Sequence, residues 1–314
     1  MVHSSGKNSL ELIMTLVRRW IYYTSAMVTV ILFVLLFFIR ESRPTKLLSL
    51  KLDLLKKSTD MNDLKTHDSH DKISSASTFW HVVLLRPARL GLTEPIVMLV
   101  SVMNAIAWGL IYLFTESLTV VYTQYGWSEA TTSLAFLPIG LGIPFSILPR
   151  FWDLRVMARR KHHNEDVQPE DKIIGFAVAA PTLALGLWIF SWTIPPIVHT
   201  HWIFSMIGLF LIGFAANEFA YTLNGYLADS YTTFASSGLA SLAFLRGIVS
   251  GVMPLFGTQM FSGLGSNVAG SILGAVATVL CVTPFIFLRF GKRLREKSQF
   301  ARYSAELNKQ HGDD

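Results

Sequence analysis

Long apolar blocks constrain the fold of this chain more than any other feature. Seven blocks carry few charged residues, and they cover residues 20–39, 95–121, 130–148, 173–192, 202–223, 238–261 and 268–287. A helix of about 20 apolar residues crosses the ~30 Å hydrocarbon core of a bilayer. Backbone polar groups in hydrocarbon need internal hydrogen bonds, which a helix supplies. The sequence therefore predicts an all-α membrane protein with about seven transmembrane helices.

The composition supports a membrane class. Hydrophobic residues make up 51% of the chain and charged residues 15%, whereas a soluble domain carries about 25% charged residues. Cys281 is the single cysteine, so no disulfide forms within the chain and a thiolate metal site is excluded. His67, Asp68, His70 and Asp71 lie in a polar stretch and are interpreted as solvated loop residues. We expect neither a metal site nor a cofactor.

The distribution of positive residues predicts the topology. Ten Lys and Arg residues lie in segment 40–94, six in 149–172 and seven after residue 287, whereas connectors 122–129, 193–201 and 262–267 contain none. Positive residues accumulate on the cytoplasmic side of membrane proteins. The long segments and the C-terminus are therefore predicted to be cytoplasmic. The net charge of +6 then reflects topology, and no nucleic-acid partner is expected.

The N-terminal segment does not fit this topology well. Lys7, Arg18 and Arg19 precede the first block, on the side predicted to be extracellular. We therefore expect the chain to begin inside a longer protein. The predicted organisation is an unplaced segment 1–19, a first transmembrane helix 20–39, a cytoplasmic central loop 40–94, a six-helix half 95–290 and a cytoplasmic tail 291–314.

Polar residues inside the blocks are the candidates for a substrate and proton pathway. Such residues are energetically costly and usually face a bundle interior or a water-filled cavity. The candidates are Asn104, Glu116, Asn217, Glu218, Tyr221 and Arg246. A carboxylate in a low-dielectric cavity can bind and release a proton near neutral pH, so Glu218 is the candidate for proton coupling or cation recognition. The alternative is a structural ion pair between Glu218 and Arg246.

Small residues and prolines predict features of helix packing. The GxxxG patterns at 247–251 and 270–274 predict close packing of the last two spans. Pro138 and Pro144 are predicted to break the third span, and Pro254 the sixth. Broken helices are frequent in transporters, where they line a path or flex.

Enzyme motifs are absent from the sequence. It contains no phosphate-binding Gly-Lys loop, no paired histidines on a helix face and no plausible Ser/His/Asp grouping. We therefore expect that the protein is not an enzyme and that ATP does not drive it.

Six short motifs, in order along the chain, carry a family resemblance. They are Arg40-Glu41-Ser42-Arg43-Pro44, Trp127-Ser128, Pro169-Glu170-Asp171-Lys172, Leu227-Ala228-Asp229-Ser230-Tyr231, Leu245-Arg246 with Pro254-Leu255-Phe256, and Gly291-Lys292-Arg293-Leu294-Arg295. Together they resemble the major facilitator superfamily, specifically its fungal drug/proton antiporters with twelve spans. The resemblance covers the C-terminal portion of that family.

The resemblance implies that the seven spans correspond to the family's sixth to twelfth. It also implies proton-coupled export of small, largely apolar compounds such as drugs or toxic metabolites. The expected partners are the substrate, protons, the lipid bilayer and a missing N-terminal transporter half. The plasma membrane is the expected location, with the vacuolar membrane as the alternative. Two other functions stay open: a truncated remnant that does not transport, and a seven-helix receptor.

Overall fold

The computed structural model describes two parts of the chain. The described residues are 19–20, 22–36, 51–52, 54, 80–81, 85–163, 169–197, 200–298, 300 and 302. They belong to two compact units, Met1–Ile73 and Ser74–Asp314. In the first unit an apolar helix, α1, runs over Tyr22–Leu36, inside the first predicted span. The histidine and aspartate residues of 67–71 lie outside the described residues, and the predicted domain boundaries stay predictions.

The second unit is built from helices. Its described helices are α2 (Arg86–Thr93), α3 (Pro95–Thr123), α4 (Glu129–Thr132), α5 (Phe136–Phe145), α6 (Leu148–His162), α7 (Ile174–Thr193), α8 (Trp202–Tyr231), α9 (Ala235–Leu264), α10 (Ser266–Leu280) and α11 (Thr283–Lys297). Short 3-10 turns at Ser133–Ala135, Pro169–Lys172 and Thr232–Phe234 join several of them. No strand occurs among the residues described.

Six helical segments of this unit are long and apolar enough to cross a membrane. They are Pro95–Thr123, Ala130–His162, Ile174–Thr193, Trp202–Tyr231, Ala235–Leu264 and Ser266–Lys297. Each coincides with one of the last six predicted spans. The prediction of an all-α membrane fold is confirmed.

The third span is broken after Pro144, as predicted, whereas Pro138 lies inside α5, and the span extends farther than expected. Ser128 caps its start by accepting a hydrogen bond from the Thr131 amide. Helix α5 ends at Phe145, directly after Pro144. The chain then turns and continues as α6 to His162, fourteen residues beyond the predicted end. The run of apolar residues ends at 148 because charged residues follow. The helical structure nevertheless continues beyond that point.

The predicted break at Pro254 is wrong. Pro254 lies inside α9, which runs without interruption from Ala235 to Leu264. Proline removes one backbone hydrogen bond, and neighbouring groups in a membrane helix compensate for such a loss. The last span is broken instead, at Cys281 and Val282, where α11 begins with Pro284 in its first turn.

The prediction that the last two spans pack closely on each other through these glycines is also wrong. An added methyl group at Gly247 or Gly251 of α9 would meet nothing within 4 Å. On α10, the same addition at Gly270 would meet the Ser191 side chain, and at Gly274 it would lie 3.2 Å from the Trp188 ring. Helix α10 therefore packs on α7, and Gly247 and Gly251 of α9 face outward.

Close backbone contacts hold α8 between its neighbours. A Cβ atom at Gly213 would overlap the Ile139 carbonyl of α5, and one at Gly142 would lie 2.6 Å from the Phe214 amide nitrogen. On the other side, a Cβ atom at Gly208 would lie 2.7 Å from the Gly186 carbonyl oxygen of α7. Glycine is required here because any side chain would push the helices apart.

The two ends of the bundle differ in chemistry. At one end, Arg295 and Glu170 form a bidentate ion pair with the shorter contact at 2.6 Å, and Lys172 Nζ lies 2.5 Å from Asp229 Oδ2. Their segments are those predicted to be cytoplasmic. At the other end, the Trp127 and Trp202 rings meet with centroids 5.5 Å apart. The observed segregation agrees with the charge pattern of the sequence.

Replacing Gly213 by alanine tests the close contact between α5 and α8. Overpacking of a filled site destabilises a protein by about 1–3 kcal/mol, so Gly213→Ala should unfold at lower denaturant concentration. The measurement is loss of helical circular dichroism during detergent unfolding of the purified chain in micelles.

Gly225 of the same helix provides the matched control. An added Cβ atom there meets nothing within 4 Å, so Gly225→Ala should be neutral or should stabilise the helix by up to about 1 kcal/mol. Equal effects at both positions would contradict the close contact.

Candidate functional site

Glu218 is fully buried in the inner half of α8. Its Oε1 atom forms an ion pair with Nη2 of Arg150 and accepts a hydrogen bond from Thr222 Oγ1 at 2.9 Å. Its Oε2 atom is buried without a hydrogen-bond partner. One oxygen of the carboxylate is therefore occupied, and the other is free to hold a proton.

Arg150 of α6 is the centre of this cluster. Its Nη1 atom lies 2.6 Å from Asp153 Oδ2, one turn along the same helix. Its Nη2 atom donates to Thr222 Oγ1 at 3.1 Å, and its guanidinium carbon lies 4.4 Å from the ring centroid of Tyr221. One arginine thus meets two carboxylates, a hydroxyl and an aromatic face. It links α6 to α8 inside the bundle.

Gly175 of α7 makes space for the pair. A Cβ atom at this position would overlap both Glu218 Oε1 and Arg150 Nη2. The backbone of α7 therefore covers the ion pair directly. This cover helps to exclude lipid and water from the buried carboxylate.

The candidate residues predicted from the sequence fall into separate places. Asn217 donates from Nδ2 to Ser146 Oγ at 2.6 Å, next to the Arg150 cluster. Tyr221 is 60% exposed and joins the cluster through the arginine. Glu116 is exposed on the outer half of α3 and forms no ion pair or hydrogen bond with the Arg150 cluster among the described residues.

A second polar cluster surrounds Arg246 of α9. Its guanidinium carbon lies 5.2 Å from the ring centroid of Trp108 on α3. Asn104, one turn before Trp108, is fully buried, and neither of its side-chain polar atoms has a hydrogen-bond partner. The structural ion pair between Glu218 and Arg246 is therefore wrong, since Glu218 pairs with Arg150. The apolar interior separates the two charges into different helix interfaces.

The sequence around Arg150 contains a pattern that indicates a buried charge, although Arg150 lies outside the predicted spans. Arg150 and Asp153 are three residues apart and are flanked by Phe151, Trp152 and Leu154. In a helix, residues at this spacing lie on one face. A third span that ends at 148 leaves Arg150 in the next cytoplasmic segment, where it is one of the positive residues that predict the topology. Its partner Glu218 is 68 residues away and is found only through the fold.

No metal site is found in the part of the chain that the structure describes. Within it, no group of three or more His, Cys, Asp or Glu side chains is arranged to hold an ion.

The ion pair can be tested by a double-mutant cycle. Arg150→Gln leaves an uncompensated buried carboxylate, which destabilises a protein by about 3–5 kcal/mol. Glu218→Gln should have a smaller effect, because Arg150 keeps Asp153 as a partner. The double variant should lose less stability than the sum of the single variants. The measurement is detergent unfolding of each variant followed by circular dichroism.

Arg155→Gln is the control, because Arg155 is exposed on the same helix. It should change stability by no more than about 0.5 kcal/mol. Additive effects of Arg150→Gln and Glu218→Gln, within about 0.5 kcal/mol, would show that the two side chains do not interact.

Six apolar helices with ionisable side chains held between them define a polytopic helical membrane protein.

Comparison with family models and with solved structures gives no match. Comparison with curated proteins does. The chain is 36% identical over 226 residues to the major facilitator-type transporter sorT of Penicillium rubens, covering 71% of this chain and 43% of that protein. It is 31% identical over 272 residues to the efflux pump FUB11 of Gibberella moniliformis, covering 86% and 46% respectively.

A third relative is the multidrug transporter TPO1_2 of Candida glabrata, which is 28% identical over 90% of this chain and 49% of its own length. The chain belongs to the major facilitator superfamily, in its group of fungal efflux-type transporters. It spans about half the length of the curated relatives it matches.

Proposed function

We propose that this chain forms the C-terminal half of a proton-coupled exporter of small, largely apolar compounds. The relatives named above are efflux pumps and transporters. Because the chain spans about half of their length, the whole activity requires an opposing N-terminal half. Transporters of this kind bind substrate near the midplane, between two halves that rock around the site.

The observation that carries proton coupling is the asymmetric environment of the Glu218 carboxylate. One oxygen is held by Arg150 and Thr222, and the other has no hydrogen-bond partner. A proton on Oε2 would remove the charge of Glu218. Arg150 would then keep Asp153 and the Tyr221 ring as partners. Protonation would thus weaken the link between α6 and α8 without leaving an unpaired arginine.

The face of α8 next to this cluster suits a substrate path. Tyr221 is exposed, and Asn217, Asn224 and Gly225 are half-buried on the same stripe of the helix. Residues three and four apart share one helix face. This stripe combines an aromatic ring, two amides and an open backbone position. Such a mixture fits compounds that are mainly apolar and carry a few polar groups.

The proposed location is the plasma membrane, with the vacuolar membrane as the alternative. An exporter of toxic compounds is effective at either boundary of the cytoplasm. Fluorescent fusion of the chain, imaged with a vacuolar dye, distinguishes the two.

Export by yeast cells lacking their own exporters tests the proposal. The chain is expressed alone or with the N-terminal half of the Penicillium rubens relative, and loss of cationic, neutral and anionic fluorescent dyes is followed. We expect export only when both halves are present. Glu218→Gln should lower the initial rate about a hundredfold, the lower end of the effect of one general acid–base group, and should flatten its pH dependence.

Glu296→Gln, an exposed carboxylate on α11, is the control and should export at the normal rate. Membrane abundance of each variant is measured by quantitative blotting. If export by the Glu218→Gln variant depends on pH in the same way as export by the unchanged protein, Glu218 has no part in the mechanism.

The second candidate function is a remnant that does not transport. It predicts no export in any pairing, although both halves reach the membrane. The relatives named above are transporters and pumps, which argues against a seven-helix receptor.

A further inference from the structure

We infer that the cluster around Arg246 binds the carboxylate of an amphipathic small molecule, so that the substrates include aromatic or aliphatic organic acids. This inference rests on the proposed function, since it names a substrate class for the exporter. It concerns a site separate from the Arg150–Glu218 pair.

Arg246 is a membrane-depth cation without an acidic partner in the part of the chain that the structure describes. It is half-buried on α9, where its contact is the Trp108 ring. Glu116 of α3 is two turns beyond Trp108 and is exposed. A charge in hydrocarbon is costly unless it is paired or reaches water. A bound anion would supply the missing counter-charge.

Buried polar atoms without hydrogen-bond partners lie on α9, which carries this arginine, and on the neighbouring helix α3. On α3 they are Ser101 Oγ, Asn104 Nδ2 and Oδ1, and Trp108 Nε1, and on α9 Ser250 Oγ. The α3 residues follow a spacing of three and four, and Ser250 follows Arg246 by four, so each set lies on one helix face. The five atoms are among twelve such buried atoms found in the described residues. A natural protein leaves few buried polar groups unpaired, so this concentration calls for a ligand or ordered water.

The two faces lie at the same level. A Cβ atom at Gly109 of α3 would lie 2.7 Å from Val249 Cγ1 of α9, and one at Gly257 would lie 2.8 Å from Ser117 Oγ. Residue numbers rise together along both helices, so α3 and α9 run parallel. Asn104 and Trp108 therefore stand beside the turn of α9 that carries Arg246.

The chemistry of the cluster favours an anion over a cation or a neutral molecule. The guanidinium, the Trp108 indole N–H and the Asn104 amide N–H groups are donors, and both hydroxyls can donate. A carboxylate accepts several such bonds and pairs bidentately with arginine. The Trp108 ring offers an apolar surface to the rest of the molecule. A ligand with one acidic group and an apolar body fits these features.

The depth of the cluster distinguishes a free compound from a lipid headgroup. Arg246 lies eleven residues after the first residue of α9, about 17 Å along the helix. Helix α9 has 30 residues and is about 45 Å long, so a core about 30 Å thick centred on it places Arg246 about 9 Å inside the hydrocarbon. Lipid phosphates lie at the surface of that core. The occupant is therefore a small molecule that enters the membrane interior.

Equilibrium dialysis of the purified chain in phosphatidylcholine nanodiscs tests the inference. The probes are 4-phenylbutyrate and 4-phenylbutanol, which share an apolar body and differ in the acidic group, and empty nanodiscs correct for partition. We expect at least tenfold tighter binding of phenylbutyrate. Arg246→Gln should reduce the preference to within twofold, Arg246→Lys should retain an intermediate preference, and Arg155→Gln should leave it unchanged.

Equal binding of the two probes, or no binding of phenylbutyrate by the folded chain, would overturn the inference. A preference that survives Arg246→Gln, with the helical circular dichroism intact, would overturn it too. Loss of the preference when phosphatidylglycerol replaces part of the lipid would identify the ligand as a headgroup and would also overturn it. Because binding is measured without transport, a failure here leaves the proposed export standing, and an exporter that fails to transport can still pass this test.

Discussion

The buried ion pair between Arg150 and Glu218 is the interaction on which the rest of this bundle depends. Two charges inside a membrane protein are tolerated only where geometry and further hydrogen bonds compensate for lost solvation. Here the compensation comes from Asp153 on α6 and Thr222 on α8, and Gly175 on α7 leaves the space that the pair occupies. The position of α6 relative to α7 and α8 follows from this requirement. The same requirement explains why a helix continues past the apolar part of the third span.

The pair also gives the six-helix unit a direction. It lies toward the end where Arg295 meets Glu170 and Lys172 meets Asp229. The opposite end is closed by aromatic rings and by Asn267, whose Nδ2 donates to the carbonyls of Ser191 and Ile194. Polar links are thus ionic at one end and neutral at the other.

The outward surface of α9 is apolar and carries no neighbouring helix among the described residues. Phe244 is 71% exposed and Leu255 is 68% exposed, and the small residues Gly247 and Gly251 contact no neighbouring helix. In the relatives the chain length is about twofold greater. We propose that an N-terminal half covers part of this surface. The Arg246 cluster would then lie between the halves, where a substrate site is expected.

The spans could be predicted from the sequence because bilayer thickness fixes the length of apolar helices, a local property. The partner of Glu218 could not, since Arg150 resembles a topological charge until the fold brings α6 beside α8. The GxxxG pattern at 247–251 identifies small residues but not their neighbour, so its prediction failed. The predicted helix break at Pro254 failed for a similar reason, because the effect of one missing backbone hydrogen bond depends on the groups around it. Asn104 and Arg246 were found as polar residues at membrane depth, whereas their shared environment with Trp108 required the structure.

Infrared spectroscopy of the purified chain tests the central claim most directly. The claim is that Glu218 is ionised beside Arg150 and gains a proton on its free oxygen. Difference spectra between neutral and acidic samples should show a protonated carboxyl band that is absent at neutral pH and missing in Glu218→Gln. A carboxyl band from Glu218 that is already present at neutral pH, with no change on acidification, would contradict the account.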